Sequence, residues 1–226
     1  MSAEGPVRDG DQPDFELIET LRWEPAGGFL RGSLHVERML RSAAALGFAA
    51  DPAMLRTALE NAAGSPEPRR VRLSLSRDGQ AKVTAEPFRP LPDGSVWKLA
   101  IAATRLASLD PLLRHKTSRR ELYAEARAEF RQDAADEVIL LNERGETCEG
   151  TITNIFADMA DGGPLRTPAL ACGLLPGVLR GEMLRVGRAV ESVLTPRDLH
   201  AARRLFVGNS LRGLIEARLS TEVATA

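Results

Sequence analysis

The stretch GETCEGTITNIF, residues 145–156, follows the apolar run Val138–Leu141 and a polar turn at residues 142–145. An apolar run, a turn of polar residues and glycine, and a second run ending in Ile155 and Phe156 predict two adjoining strands. Glu149 stands in this stretch where the second run begins. The segment therefore predicts a strand pair that carries a carboxylate.

Upstream of this strand pair lies the polar segment HKTSRR, residues 115–120, in which Lys116 precedes Glu149 by thirty-three positions. Ser118 and Glu121 have the spacing of a capping box, with serine at the N-cap and glutamate three residues later. Leu122, Ala126 and Phe130 then recur at helical spacing. The pattern predicts a helix directly after Lys116.

Downstream, three further segments complete the second half of the chain. They are Thr167–Pro168, GLLPGVLR over residues 173–180, and NSLRG over residues 209–213. A helix is predicted to open at Gly177 and to run to about residue 186. Strands are predicted near residues 190–194, 205–207 and 214–219, with a short helix over 196–201.

The first half of the chain has a different pattern. It predicts a hairpin over residues 15–33, helices over 34–47 and 51–63, and strands over 71–75, 82–85 and 96–102. We interpret residues 1–13 as a flexible tail, 14–104 as a small α/β domain, 105–113 as a linker, and 114–226 as a larger α/β domain.

Composition excludes several classes of protein. The 226 residues are 43% hydrophobic and 27% charged, as in a soluble globular protein. The net charge is -1, from 30 basic and 31 acidic residues, which argues against a nucleic-acid or anionic-membrane partner. Two cysteines, Cys148 and Cys172, and an N-terminus without an apolar core point to the cytoplasm. The three histidines are far apart, so no metal site is expected.

Taken together and in order, these segments resemble the class IV aminotransferases, the fold-type IV pyridoxal-phosphate enzymes. FELIETLR at residues 15–22, and His35 with Arg38 in the following helix, also match the family's early segment. The resemblance covers roughly residues 14–216. It implies a two-domain α/β (α+β) fold similar to D-amino-acid aminotransferase, a homodimer, and pyridoxal 5'-phosphate as cofactor.

The resemblance also implies roles for individual residues. Lys116 is implied to bind the cofactor covalently and to act as the base, and Glu149 to contact the ring nitrogen. Phosphate contacts are implied for Arg38, Val178, Leu179 and Ser210, and substrate contacts for Thr20, Arg120 and Arg212. Without the resemblance, Lys116 and Arg38 have an ordinary interpretation as solvated charges, and Ser210 as a turn serine.

Within the family, the short N-terminal part and the segments FELIET and HKTSRR look most like lyase-type members. Glu121 stands where branched-chain enzymes have a cofactor-contacting tyrosine, and Tyr123 is expected on another helical face. The leading hypothesis is aminodeoxychorismate lyase of folate biosynthesis, acting on a small amino substrate with carboxylates. The alternatives are a class IV aminotransferase of a small or branched-chain amino acid, and a non-catalytic protein with the same fold.

Overall fold

The computed structural model describes residues 15–220, which form a mixed α/β fold around two β-sheets. The mixed α/β class predicted from the sequence is therefore confirmed. The tail expected over residues 1–13 lies outside the described residues. Among residues 15–220, no helix has the length and apolar character needed to cross a membrane.

The smaller sheet has four antiparallel strands in the order β2-β1-β3-β4. The strands are β1 (Leu17–Glu24), β2 (Gly28–Leu30), β3 (Arg69–Leu75) and β4 (Ala81–Pro87). Two helices, α1 (Gly32–Leu46) and α2 (Pro52–Asn61), lie between β2 and β3 in the chain. The hairpin, both helices and both strands were predicted. Asp51 caps α2 by accepting a hydrogen bond from the Ala53 N–H at 2.8 Å, in agreement with an Asp-Pro helix start.

Strand β1 separates two environments because successive side chains point to opposite faces. Leu17 and Leu21 pack in one hydrophobic core with Met39 of α1. Glu19 lies between these two leucines along the strand and is buried with them. Thr20 has the opposite orientation on the strand. A carboxylate is thus placed under α1, and a hydroxyl on the other face.

The larger sheet has eight strands in the order β10-β9-β8-β11-β12-β5-β6-β7. Its strands are β5 (Val96–Leu106), β6 (Glu137–Asn142), β7 (Thr147–Gly150), β8 (Asn154–Asp158), β9 (Leu165–Pro168), β10 (Ala189–Ser192), β11 (Arg204–Asn209) and β12 (Gly213–Leu219). The accompanying helices are α3 (Glu121–Ala128), α4 (Val178–Arg185) and α5 (Pro196–Ala201), with 3₁₀ turns at Pro111–Arg114 and Leu170–Cys172.

The change from one sheet to the other occurs earlier than residues 105–113, where the sequence predicted a linker. Strand β5 was grouped with the small domain, but it runs parallel to β12 on one side and β6 on the other. Residues 105–113 contain the end of β5 and most of a 3₁₀ turn. The backbone groups on both edges of β5 need hydrogen-bond partners. The alternation of apolar and polar side chains predicts a strand there, but it does not indicate which sheet the strand joins.

The segment before α3 is extended, so the predicted capping box is wrong. The Ile18 N–H donates to the Lys116 carbonyl at 2.8 Å, and the Ser118 N–H donates to the Glu16 carbonyl at 2.9 Å. Ser118 Oγ accepts from the Glu16 N–H at 3.0 Å instead of capping the helix. Pairing with β1 holds Ser118 out of the N-cap position, which Arg120 occupies without a side-chain cap. Lys116 is thereby tied to the smaller sheet.

Candidate active site

A cavity of about 600 Å³ lies where β1, α1, the segment before α3, β7, the start of α4 and the β11–β12 turn meet. Of the nine site residues predicted from the sequence, this cavity is lined by Thr20, Arg38, Lys116, Arg120, Glu149, Val178, Ser210 and Arg212. The ninth, Leu179, packs its side chain with Phe156 and Met183 below the cavity. Only its main-chain N–H is available to a ligand.

Lys116 carries an amine whose charged form is disfavoured. Burial, together with the nearby charges of Arg38 and Arg120, lowers the pKa of Lys116 from 10.5 to about 8. The side chain is only partly exposed and lines the cavity. A sizeable neutral fraction therefore exists near neutral pH, as a nucleophilic amine requires.

Glu149, on β7, presents one oxygen to protein donors and leaves the other open. The Tyr123 hydroxyl donates to Oε1 at 2.8 Å, and the Leu175 N–H donates to the same oxygen at 3.2 Å. Oε2 receives no hydrogen bond from residues 15–220. Burial raises the pKa of Glu149 to about 7, although both donors and the charge of Lys116 act in the opposite direction. The open oxygen is an acceptor for a positively charged N–H.

The start of α4 forms a cradle for an anion. Gly177 is its N-cap and no side chain caps the helix, so the N–H groups of Val178 and Leu179 have no partner within the helix. A Cβ on Gly177 would come 1.9 Å from Asn154 Oδ1, so only glycine fits. Asn154 is itself held because its Nδ2 donates to the Leu175 carbonyl at 3.0 Å. Unpaired N–H groups and the helix dipole favour a phosphate here.

Opposite this cradle, α1 contributes a buried charged network. Arg38 donates to Glu19 twice, from Nε to Oε1 at 2.8 Å and from Nη2 to Oε2 at 2.6 Å, and its Nη1 donates to the Pro176 carbonyl at 3.3 Å. His35 bridges Glu19 Oε2 at 2.6 Å and Ser210 Oγ at 2.8 Å. A guanidinium has five N–H donors, so Arg38 keeps two for an anion.

The contacts of this network with Arg38 and His35 lower the pKa of Glu19. Burial alone raises that pKa, but the Arg38 charge and the hydrogen bonds from His35 and Arg38 outweigh burial and lower it to about 2. The carboxylate is therefore ionised throughout the physiological range. It fixes Arg38 and, through His35, also orients Ser210.

The open side of the cavity is rich in arginine. Arg120 lies 4.5 Å above the Tyr123 ring, and Arg212 lies 5.8 Å above the Trp97 ring. Arg72, on β3 opposite Thr20, also lines the cavity. Guanidinium groups bind carboxylates through paired, charge-assisted hydrogen bonds. This side of the cavity suits a ligand with more than one carboxylate.

Sequence reasoning missed Glu19, His35, Arg72 and Tyr123. Tyr123 was expected on another helical face than Glu121 and was given no role in the site, but its hydroxyl reaches Glu149 Oε1 at 2.8 Å. The three-residue spacing of His35 and Arg38 places both on one face of α1, which was a usable signal. Nothing in the local pattern indicated that Glu19 contacts them.

This set of groups fits pyridoxal phosphate. The cavity offers an amine of lowered pKa, a carboxylate oxygen free to accept an N–H, and an anion cradle with an arginine. The contacts assigned to single residues stay predictions.

Known proteins resemble this chain over most of its length. The sequence profile of the amino-transferase class IV family matches residues 16–219. A structure named "Putative amino-acid aminotransferase" from Mesorhizobium loti is 56% identical, with a TM-score of 0.88, and the match covers 91% of this chain and 100% of that chain. The structure of 4-amino-4-deoxychorismate lyase from Pseudomonas aeruginosa is 22% identical, with a TM-score of 0.80, and the match covers 97% and 90% of the two chains. At this identity it shows the fold alone, which confirms the predicted fold-type IV architecture.

One curated relative matches a shorter part of the chain. The "Probable branched-chain-amino-acid aminotransferase" of Thermotoga maritima is 30% identical over 91 residues, which span 38% of this chain and 33% of that protein. A second such relative, from Methanocaldococcus jannaschii, is matched over 44% of its length. The matched segments thus span a third to under half of these curated relatives.

Proposed function

This chain belongs to the class IV aminotransferase family, whose members are pyridoxal-phosphate-dependent enzymes, and on that premise we propose that it is an aminodeoxychorismate lyase. The reaction converts 4-amino-4-deoxychorismate to 4-aminobenzoate and pyruvate. The observation that carries the proposal is one cavity that combines the Lys116 amine, the open oxygen of Glu149 and an arginine-rich side. Family membership makes the chain an enzyme, so the non-catalytic alternative is set aside.

Each part of the cofactor has a counterpart in the cavity. Lys116 Nζ is the group that would bond to its aldehyde carbon, and Glu149 Oε2 the group that would accept from its ring nitrogen. The phosphate would be held by the N–H groups of Val178 and Leu179, by the two remaining donors of Arg38, and by Ser210 Oγ. When bound, the cofactor supplies an electron sink for the carbon that loses a proton.

Lys116 is suited to move that proton. A general base works best when its pKa lies near the working pH, and the pKa of Lys116 is lowered to about 8. When it is not bonded to the cofactor, Nζ would be the base that takes the proton from the ring carbon of the substrate. Loss of this proton and cleavage of the bond to the enolpyruvyl group would make the ring aromatic, and the enolpyruvyl group would take up a proton to become pyruvate. Glu149 would remain a carboxylate beside the ring nitrogen, since a cationic partner lowers the pKa of a carboxyl group.

The substrate of this reaction has two carboxylates, and the cavity offers a group for each. We assign them to Arg120 and Arg212, with Arg72 as a third cation on the same side. Thr20 lies next to Arg72 in the β1–β3 pairing, within the same cavity. A substrate with a single carboxylate would leave at least one of these arginines without an anionic partner.

The test is pyruvate release from purified protein supplied with pyridoxal phosphate and 4-amino-4-deoxychorismate, without any amino acceptor. We expect stoichiometric pyruvate and 4-aminobenzoate from the wild type, and neither product from Lys116→Met. Pyruvate formation equal in the variant and in the wild type would refute the assignment of Lys116. Absence of product from wild type that carries cofactor would refute the lyase.

An aminotransferase of an amino acid is the second candidate, favoured by the 56% identity to the Mesorhizobium loti protein and its name. The same preparation distinguishes the two reactions. A transaminase needs a 2-oxo acid as acceptor and returns the cofactor amine to it, whereas the lyase turns over with one substrate. Turnover that depends strictly on a 2-oxo acid identifies the aminotransferase.

A further inference from the structure

Tyr123 is the only tyrosine in the chain, and it lies beside the carboxylate proposed to meet the cofactor ring. It sits in the first turn of α3, lines the cavity, and points its hydroxyl at Glu149 Oε1 at 2.8 Å. Burial, followed by the charge of Glu149, raises the pKa of Tyr123 well above its usual range. The phenol therefore stays protonated and acts as a donor.

Both protein donors converge on the same oxygen of Glu149. Tyr123 and the Leu175 N–H donate to Oε1, while Oε2 receives no hydrogen bond from residues 15–220. The main-chain donor is fixed by the loop before α4, so Tyr123 is the side chain that sets the rotation of the carboxylate. With Oε1 held from two sides, Oε2 is the oxygen left for a ligand.

The charged and titratable groups around Glu149 come from three directions. Lys116 and Arg120 lie on the segment before α3, Tyr123 lies on α3 itself, and Cys148 precedes Glu149 on β7. Arg120 also lies 4.5 Å from the centre of the Tyr123 ring, within the range of a cation–π contact. Because its pKa is raised, the phenol keeps its proton near neutral pH and stays a hydrogen-bond donor to Glu149.

We propose that Tyr123 is a positioning residue for Glu149: by holding Oε1, it turns Oε2 toward the ring nitrogen of the cofactor and keeps the carboxylate ionised. The inference rests on the proposed function only where it names the cofactor's ring nitrogen as the group that Oε2 contacts. The coupling between the phenol and the carboxylate is a property of the protein without cofactor. It is open to measurement independently of any reaction.

Tyr123→Phe removes the hydroxyl and leaves the ring in place under Arg120. A hydrogen bond to an ionised group favours that ionised form, so its loss raises the pKa of Glu149, by about one pH unit for a bond of ordinary charge-assisted strength. The wild-type value is about 7. In the variant, most of the Glu149 carboxyl groups are therefore protonated at neutral pH.

The first experiment follows this carboxyl group by carbon NMR in cofactor-free protein with labelled glutamate side chains. The Glu149 signal is the one that titrates near neutral pH and disappears in Glu149→Gln. We expect its midpoint to move upward by about one pH unit in Tyr123→Phe. Labelled tyrosine gives a single signal, because the chain has one tyrosine, and that signal is expected to titrate together with Glu149.

A matched control removes a different hydroxyl that also donates to a glutamate. Thr104 Oγ1 donates to Glu129 Oε1 at 2.6 Å, away from the cavity lining. Thr104→Val is expected to leave the Glu149 midpoint and cofactor binding unchanged. An unchanged midpoint in Tyr123→Phe, or an equal shift in Thr104→Val, would overturn the inference.

The second experiment loads both proteins with pyridoxal phosphate labelled with ¹⁵N in the ring. We expect the cofactor to bind to both, since Lys116 and Arg38 are unchanged, but the protonated fraction of the ring nitrogen at neutral pH to fall several-fold in Tyr123→Phe. Equal protonation in the two proteins would overturn the positioning role. If the wild type binds no cofactor, the proposed function fails, while the midpoint in cofactor-free protein still decides whether Tyr123 controls Glu149.

Discussion

Lys116→Met is expected to make the cofactor-free protein more stable while removing its chemistry. Burial and the charges of Arg38 and Arg120 lower the pKa of Lys116 from 10.5 to about 8, so the charged amine is less favourable in the folded chain than in the unfolded chain. Methionine has a similar length and no charge. The substitution therefore removes an unfavourable interaction that the wild type retains for its reaction.

The size of this effect follows from the two pKa values. One pH unit corresponds to 1.36 kcal/mol, so a fall from 10.5 to about 8 sets an upper limit of about 3 kcal/mol at neutral pH. Because Lys116 keeps part of its surface accessible within the cavity, solvent screening reduces the expected gain to about 2 kcal/mol. For a chain of this length, that gain raises Tm by about 4–8 °C.

The pH dependence has a definite sign. The folded pKa lies below the unfolded one, so the destabilisation is complete below about pH 8 and disappears as the pH rises to 10.5. Urea unfolding of cofactor-free protein at these two ends of the range measures the difference between wild type and Lys116→Met. The stability gained by Lys116→Met should be largest below about pH 8 and should fall to nearly zero at about pH 10.5.

The control is Lys82→Met, which removes an exposed lysine of β4. Its difference in unfolding free energy from the wild type should not shrink as the pH rises. A Lys116→Met protein less stable than wild type at neutral pH would refute the reasoning. So would a gain of equal size at both ends of the pH range.

Four further predictions follow from the site. Glu149→Gln should keep the cofactor but slow turnover by about tenfold or more, since losing a charge-assisted hydrogen bond costs about 1.5–3 kcal/mol; unchanged turnover contradicts this. Gly177→Ala should weaken cofactor binding by about tenfold or more in equilibrium titrations, because its Cβ meets Asn154 Oδ1; wild-type affinity argues against the cradle. Arg212→Gln should raise KM about tenfold for a substrate with two carboxylates and leave the cofactor spectrum unchanged; an altered spectrum with unchanged KM would move Arg212 out of the substrate site. We also propose a homodimer, which light scattering coupled to gel filtration tests, and a monomer at micromolar concentration contradicts it.

The predicted cofactor residues were found through short motifs that, in their order along the chain, resemble the class IV aminotransferases. Lys116 stands in an extended segment five residues before α3, Glu149 lies in β7, and Gly177 is the N-cap of α4 after a proline. Motifs of this kind keep their meaning from one chain to another, because they depend on a few neighbouring backbone positions. Their order along the chain then indicated which chemistry they serve.

The partners of these residues were harder to predict. Glu19 is 1% exposed and has Arg38 and His35 as partners, yet on sequence alone it is one more carboxylate in an alternating strand. Tyr123 was expected on another helical face than Glu121, and only the fold shows that its hydroxyl reaches Glu149. Both cases concern contacts made across the fold rather than along the chain.

Periodicity and turn chemistry act over a few positions, so the amino-acid sequence by itself determined most of the helices and strands. The residues around which the cavity is built were indicated by the ordered motifs that resemble the class IV aminotransferases. The tertiary structure alone decided that β5 joins the larger sheet, that the segment around Lys116 pairs with β1, and that one oxygen of Glu149 stays open. Such outcomes depend on which distant strands share hydrogen bonds and on which charges are buried together. That competition is resolved only when the whole chain is packed.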